Sequence, residues 1–238
     1  SLKKKKNLLI QKKFTKVNQT LQKFKMTKVE FSIIRKFGPP VLQVKIPDQI
    51  IKALNDYVDQ AIKDKEKIKR LSASEHLVGD VTQEFKIENE VVKKSGWGDF
   101  LTLCVSNWIN KETGKKPTKF RIINTWIVRQ FQNEYNPTHW HGGHISGVGY
   151  LKVPNNLGIT KKNKEKSNTN GCLQLIHGSK MFMSESIYTV KPEVGDFYLF
   201  PNYLMHTVFP FTDTNEERRS ISFNAFVDKQ IYNVYGRE

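Results

Sequence analysis

Three histidines fall within six residues in the stretch NPTHWHGGHISGVGYL, at His139, His141 and His144. Imidazole nitrogens are good ligands for first-row transition metals. In an extended chain, residues two apart point the same way. His139 and His141 therefore converge, and Trp140 points away. His144 is odd-spaced from both and should diverge unless the Gly142-Gly143 pair bends the chain; it is a candidate substrate contact at the rim, beside the plainer reading of a solvent-facing histidine. The third ligand of such a site has to come from a distant segment. His206, in GDFYLFPNYLMHTVFP, is the candidate, because it opens a strand after a loop. His76 precedes the strand-rich region and His177 sits in a turn-like IHGS, so neither competes with it.

A second chemical signature lies near the C-terminus, in RRSISFNAFV. Period two puts Arg218, Ser220, Ser222 and Asn224 on one face of a strand, and Ile221, Phe223, Ala225 and Val227 on the other. A strand with one core face and one polar face carrying an arginine suits a barrel interior that holds an ionic ligand. A buried guanidinium grips a carboxylate through two parallel, charge-assisted bonds. Arg219 is expected on the opposite face, beside Phe223, with a structural role. On the strand before the histidines, Asn124 and Trp126 share a face and are expected to line the substrate pocket.

These residues need a scaffold of strands. FRIINTWIVRQF (120–131) and ISGVGYLKV (145–153) read as long strands. CLQLI (172–176), IYTVK (187–191), DFYLF (196–200), HTVFPF (206–211) and RSISFNAFV (219–227) follow as shorter ones, separated by Pro, Gly, Asn and Asp. Upstream, residues 29–46 are extended segments broken at Gly38-Pro39-Pro40. A helix opens at Asp48, with Ile50, Ile51, Leu54, Tyr57, Val58, Ala61 and Ile62 on its apolar face and DKEKIKR as its charged end. Residues 77–87 are polar and irregular, with at most one short strand, and 99–111 form a second helix. Helices first and short strands afterwards give an α+β, mainly β fold, whose sheet part is a sandwich or jelly roll. The organisation expected is a basic arm at 1–28 and a single domain at 29–238, with helical support at about 47–112 and a jelly-roll core at about 118–228.

The bulk numbers bound the function. The 238 residues include 15 Phe, 8 Tyr and 4 Trp, enough for a real core. The net charge of +16 is concentrated in the N-terminal arm and in KKNKEK at 161–166. Nucleic acid is the lesser expectation for these lysines, which lack interleaved aromatics. The loop at 155–170 is expected to shape access to the pocket and to favour an anionic substrate or an acidic peptide. Cys104 and Cys172 form no zinc-like pair, so a disulfide scaffold and a zinc knot are excluded. No apolar run approaches the ~18 residues of a spanning helix, and no membrane association is expected. A cytoplasmic location is the expectation.

Taken in order, HxH, SGVGYL, GDFYLFP, His and RxSISFN resemble the iron(II)- and 2-oxoglutarate-dependent oxygenase superfamily. Within it the chain is most similar to the group with NxxHxH followed by SGVYYL. The likeness spans roughly residues 76–227 and is densest at 120–227. It implies a double-stranded β-helix, a cupin-like jelly roll, with Fe(II) at its open mouth, 2-oxoglutarate as cosubstrate, O₂, and ascorbate as an accessory reductant. His139 and His206 match the family's histidine ligands. Arg218 and Ser220 match its RxS, which holds the far carboxylate of 2-oxoglutarate, and Tyr150 and Tyr198 are candidates for the tyrosine that often shares that duty.

The chain departs from the pattern at His141, where most members carry Asp or Glu. Three arrangements remain: a three-histidine triad, which we favour; a site with two protein ligands; or an HxG pair at His141 and Gly143, as in halogenase-like relatives. Three histidines and a water also make a hydrolytic zinc site. The activity implied is a dioxygenase, a hydroxylase of a protein side chain such as prolyl or of a small molecule. The rival readings are a cupin-like three-histidine metalloenzyme that does not use 2-oxoglutarate, and a metal-independent jelly-roll binding module.

Overall fold

The computed structural model describes residues 30–34, 38–73, 79–159 and 168–233. The basic arm, His76 and most of the lysine-rich loop lie outside the described residues. The chain begins with β1 (Phe31–Ile34) and β2 (Val41–Lys45). Next comes α1 (Asp48–Ala61), which buries Ile50, Ile51, Leu54, Val58 and Ala61 on one face. The charged segment expected to prolong it is a separate helix, α2 (Lys65–Leu71). The reason is Asp64, whose carboxylate accepts from the Lys67 N–H at 2.9 Å and starts a new helix. After β3 (Gln83–Lys86) come α3 (Asn89–Lys94), which the sequence pattern did not announce, and α4 (Trp97–Thr113). Gly114 ends α4 in the left-handed region, with its N–H donating to Asn110 O at 2.9 Å.

The strands that follow are β4 (Phe120–Gln130), β5 (Asn136–His139), β6 (Ile145–Lys152), β7 (Leu173–Ile176), β8 (Ile187–Val190), β9 (Asp196–Pro201), β10 (Met205–Val208) and β11 (Arg218–Val227). A last turn of helix, α5 (Lys229–Tyr232), closes the described chain. Two antiparallel sheets result. One has the order β1-β2-β9-β6-β11-β4-β3, the other β5-β10-β7-β8. This is the double-stranded β-helix.

Strand alternation divides the apolar residues between two cores. Ile127, Ile221, Phe223 and Ala225 turn to the outer face of the large sheet, where α1 and α4 cover them with Leu54, Val58, Trp97, Phe100 and Leu101. Tyr150, Leu173, Leu175, Phe200 and Val208 turn inward and pack between the sheets. The central strand β11 pairs with β4 on one side and β6 on the other. Its odd-numbered residues belong to the outer core, and its even-numbered ones face the space between the sheets. No described helix is long and apolar enough to cross a membrane.

Candidate active site

In the small sheet, His139 on β5 lies directly opposite His206 on β10. Antiparallel partners are ~5 Å apart, so strand register alone joins these distant segments. Their ring centroids are 4.2 Å apart. His141 follows the end of β5 and swings in, its ring centroid 4.9 Å from each of the other two. Asn202 clamps it there: the His141 N–H donates to Asn202 O at 3.1 Å, and Asn202 Nδ2 donates to His141 O at 3.0 Å. Just beyond, Gly143 turns the chain at φ +93°, where a Cβ would press on Ala225 O at 3.0 Å. Trp140 points away and is 65% exposed.

The ligand atoms of His139, His141 and His206 all lie within 4.8 Å of one another. His139 Nδ1 is 2.7 Å from Pro137 O, and His206 Nδ1 is 2.9 Å from Leu204 O. Each carbonyl holds its imidazole with the proton on Nδ1 and leaves the Nε2 lone pair free. His206 Nε2 faces His141 Nε2 at 3.1 Å. Two lone pairs at that range repel unless a proton or a metal cation lies between them.

Burial and the neighbouring imidazoles push His206 down to about 3. Burial and His139 push His141 down to about 4. Burial also lowers His139, against the opposing effect of the Pro137 carbonyl. All three are therefore neutral near pH 7, the form that binds metal. No described carboxylate joins the cluster.

The triad opens on a cavity of about 570 Å³, its mouth included, which is also lined by Trp126, Tyr150, Arg218, Ser220 and Ser222. Arg218 is 2% exposed. Nη1 donates to Gly171 O at 2.6 Å, Nη2 donates to the Gln130 side chain, and Nε is buried without a partner. Among the described residues no carboxylate pairs with it. Burial accordingly lowers its pKa. The Tyr150 ring lies 5.8 Å from the guanidinium, and burial lifts its hydroxyl to about 12.

Three expected site residues lie elsewhere. Tyr198 is on the inward face but not among the residues that line the cavity, and its hydroxyl accepts from Gln43 Nε2 at 2.9 Å and donates to Asp196 Oδ2 at 3.3 Å. Asn124 does not line the cavity. It sits opposite Asn224, on the face of Trp126 but one same-face pair farther along β4, just before the register shifts. His144 turns outward to stack on Tyr232 at 3.8 Å, and its Nδ1 accepts from the Val227 N–H at 3.1 Å. Its odd spacing from His139 and His141 accounts for this divergence. Conversely, Glu84 and Asn136 line the cavity and Asn202 positions His141, and none of the three was singled out in the sequence. The signal for Glu84 was faint: if Phe85 is core, its strand neighbour must face the other way.

Residues 124–224, somewhat under half of the chain, match the family model described as "Putative 2OG-Fe(II) oxygenase". Within the match fall His139, His141, His206, Arg218 and Ser220. No curated protein matches the chain significantly.

Among solved structures the chain is similar to a Pseudomonas putida prolyl-4-hydroxylase, at 14% identity and a TM-score of 0.49, over 84% of this chain and 94% of the other. It is also similar to the viral collagen prolyl hydroxylase of Paramecium bursaria Chlorella virus-1, at 14% identity and a TM-score of 0.48, over 78% and 94%. A third is HygX from Streptomyces hygroscopicus, solved with nickel and 2-oxoglutarate, at 11% identity and a TM-score of 0.49, over 78% and 81%. The description of the matched family model names Fe(II) and 2-oxoglutarate. The residues present fit them: three neutral imidazoles suit ferrous iron, and a buried, acid-free guanidinium suits a dicarboxylate.

Proposed function

We propose that the protein is a non-haem Fe(II)- and 2-oxoglutarate-dependent hydroxylase in which His139, His141 and His206 hold the iron. Arg218 and Ser220 hold the far carboxylate of 2-oxoglutarate. The observation that carries this reading is that one cavity is lined both by three lone-pair-bearing imidazoles and by a buried guanidinium without a carboxylate. When bound, the metal and O₂ supply oxidative decarboxylation of 2-oxoglutarate coupled to hydroxylation of a substrate C–H bond.

The chain's own residues bind, orient and desolvate. Pro137 O and Leu204 O fix two of the imidazole tautomers, and Asn202 fixes the third histidine's backbone. With three neutral donors, the site keeps the full double charge of ferrous iron, which favours an anionic cosubstrate. Gly171 O and Gln130 orient the guanidinium before the ligand arrives. Val148, Tyr150, Leu173 and Phe200 wall the space and exclude water. The primary substrate is a peptide side chain or a small molecule, and residues 1–28 with 29–238 divide as arm and catalytic domain.

The test is an anaerobic titration of the full chain with Fe(II) and then 2-oxoglutarate, followed by succinate release in air. One iron per chain and slow succinate formation are expected. His206→Ala should lose the metal. Arg218→Leu should keep the metal and lose 2-oxoglutarate. Undiminished iron affinity in His206→Ala would overturn the ligand assignment. Unchanged 2-oxoglutarate turnover in Arg218→Leu would instead favour a three-histidine metalloenzyme that does not use this cosubstrate.

A further inference from the structure

The polar groups of the cavity are not evenly distributed. Arg218 is its cationic end. Elsewhere on its lining, two acceptors have no donor: Glu84 Oε1 and Asn136 Oδ1 are both buried and both without a hydrogen-bond partner. Glu84 is 3% exposed. It forms no ion pair with Arg218, and no described cation neutralises it. A buried carboxyl oxygen without a donor is costly, and is retained where a ligand supplies the donor.

The two residues share one wall. Glu84 lies on β3, at the edge of the large sheet, and Asn136 on β5, at the edge of the small one. A bridge between Asp80 and Tyr135 ties the approaches to these strands, with the Asp80 N–H donating to Tyr135 O at 2.9 Å and the Tyr135 N–H to Asp80 O at 3.2 Å. Gly79 leaves room for the Asn136 amide, since a Cβ there would collide with Asn136 Oδ1. In the strand registers Glu84 is opposite Val128, and Asn136 is opposite Val208. The acceptors are thus flanked by aliphatic side chains that also line the cavity.

From this arrangement we infer that Glu84 and Asn136 form the receptor for a basic group, an ammonium or guanidinium on an aliphatic stem, of the primary substrate. The inference rests on the hydroxylase reading above and names the substrate class for that site. Two acceptors need a donor with several N–H bonds, and an apolar collar suits a stem of methylene groups. Burial lifts the Glu84 carboxyl to about 7, a position from which an arriving cation draws it into the ionised form. Glu84 lies outside residues 124–224, so the residues matching the family do not include it. The inference also replaces the expected anionic substrate, which rested on lysines of a loop mostly outside the described residues.

The experiment measures binding to the full chain loaded with Fe(II) and 2-oxoglutarate under anaerobic conditions. The probes are the N-acetyl methylamides of lysine, arginine, norleucine and glutamate. The lysine or arginine probe should bind at least about tenfold more tightly than the norleucine probe, the strength of one charge-assisted contact. Glu84→Gln should erase that preference and leave 2-oxoglutarate affinity unchanged. Asn136→Leu, a second variant of similar size, should weaken the preference in the same direction. Equal binding of all four probes, preference for the glutamate probe, or a preference that survives Glu84→Gln would overturn the inference. In each of those cases intact iron and 2-oxoglutarate binding would leave the hydroxylase reading standing, so the two fail separately.

Discussion

Arg218 and Arg219 are neighbours on β11, and both are almost completely buried, at 2% and 1% exposure. Strand alternation sends them to opposite faces of the large sheet. Arg219 turns toward the helices. There Nε donates to Glu217 Oε1 at 2.8 Å, Nη2 to Asp59 Oδ1 at 2.7 Å and Nη1 to Asn55 Oδ1 at 2.9 Å. Burial alone would lower its pKa, but these carboxylates outweigh burial and raise it. Arg218 turns into the cavity and meets only a backbone carbonyl and an amide. With no carboxylate to offset it, burial outweighs the opposing effects of Tyr150 and Cys172 and lowers its pKa. Burial is therefore the same on the two faces and function is not. A guanidinium that already has its carboxylates fastens α1 to the sheet, and one that lacks them is poised to take a carboxylate from solution.

This contrast is exposed to direct attack. The largest effect should follow from Arg219→Met, which removes the tie to Asp59 and leaves Glu217 with Arg129 as its remaining ion-pair partner. Breaking a buried ion pair from one side costs about 3–5 kcal/mol. The loss should register as a lower denaturant midpoint, with 2-oxoglutarate affinity of the folded fraction unchanged. Next comes Arg218→Leu, where the pattern should invert. Removing the partner of a bound carboxylate should weaken 2-oxoglutarate by about 2–4 kcal/mol, roughly 30- to 1,000-fold by titration. Unfolding should move by less than about 1 kcal/mol, because no protein carboxylate is left behind. If both variants lost stability equally and neither lost cosubstrate affinity, the distinction between the two arginines would be void.

A smaller change should blur the two arginines into one kind. Gln130 accepts from Arg218 Nη2, so Gln130→Glu gives Arg218 the carboxylate that Arg219 already has. The new acid competes with 2-oxoglutarate for one guanidinium. Affinity should fall about tenfold, the strength of one charge-assisted bond. Affinity equal to wild type in a calorimetric titration would mean that the cosubstrate carboxylate does not use this guanidinium.

Residue type and local period made the two faces of β11 legible in the sequence. Parity put Arg218 and Ser220 on one face and Arg219 on the other, while the inward sense of the first face came from the need to hold an ionic ligand and from the family resemblance. His139 and His206 were legible as ligand types, and β4, β6, β9 and β11 were legible from their β-branched and aromatic runs. What parity could not supply was pairing. That His139 lies opposite His206 is a fact of β5–β10 register, and register depends on two segments far apart in sequence. Parity also could not say how far along a face the cavity extends. His144 diverges from the triad as its odd spacing requires, and Asn124 shares the face of Trp126 but is not among the residues that line the cavity. Glu84 was hidden for a third reason: β3 has four residues, too few for a period, and is a strand because β4 pairs with it. Asp64 ended a helix that apolar spacing alone would have continued.

The finest test of the contrast is the pH dependence of stability, and it turns on Glu217. Burial pushes this carboxyl up, but hydrogen bonds and charge from Arg219 and Arg129 outweigh burial and hold it below its ordinary value of 4.5. A carboxyl with a depressed folded-state pKa adds stability that is fully present above the unfolded value. That stability is lost as pH falls through the folded value. Wild type should therefore be more stable than Glu217→Gln throughout the neutral range by a constant margin, and the margin should close only below pH 4.5. Arg218 has no such carboxylate, so Gln130, its neutral partner, should add no acid limb of its own. In Gln130→Glu a second acid-sensitive component should emerge, because the introduced carboxyl would then stand to Arg218 as Glu217 stands to Arg219. Chemical denaturation from pH 3 to 8 on the three proteins measures both margins. A margin for Glu217→Gln that persists unchanged down to pH 3 would mean that Glu217 contributes by shape and hydrogen bonding alone, and the charge-based account of the outward arginine would fail with it.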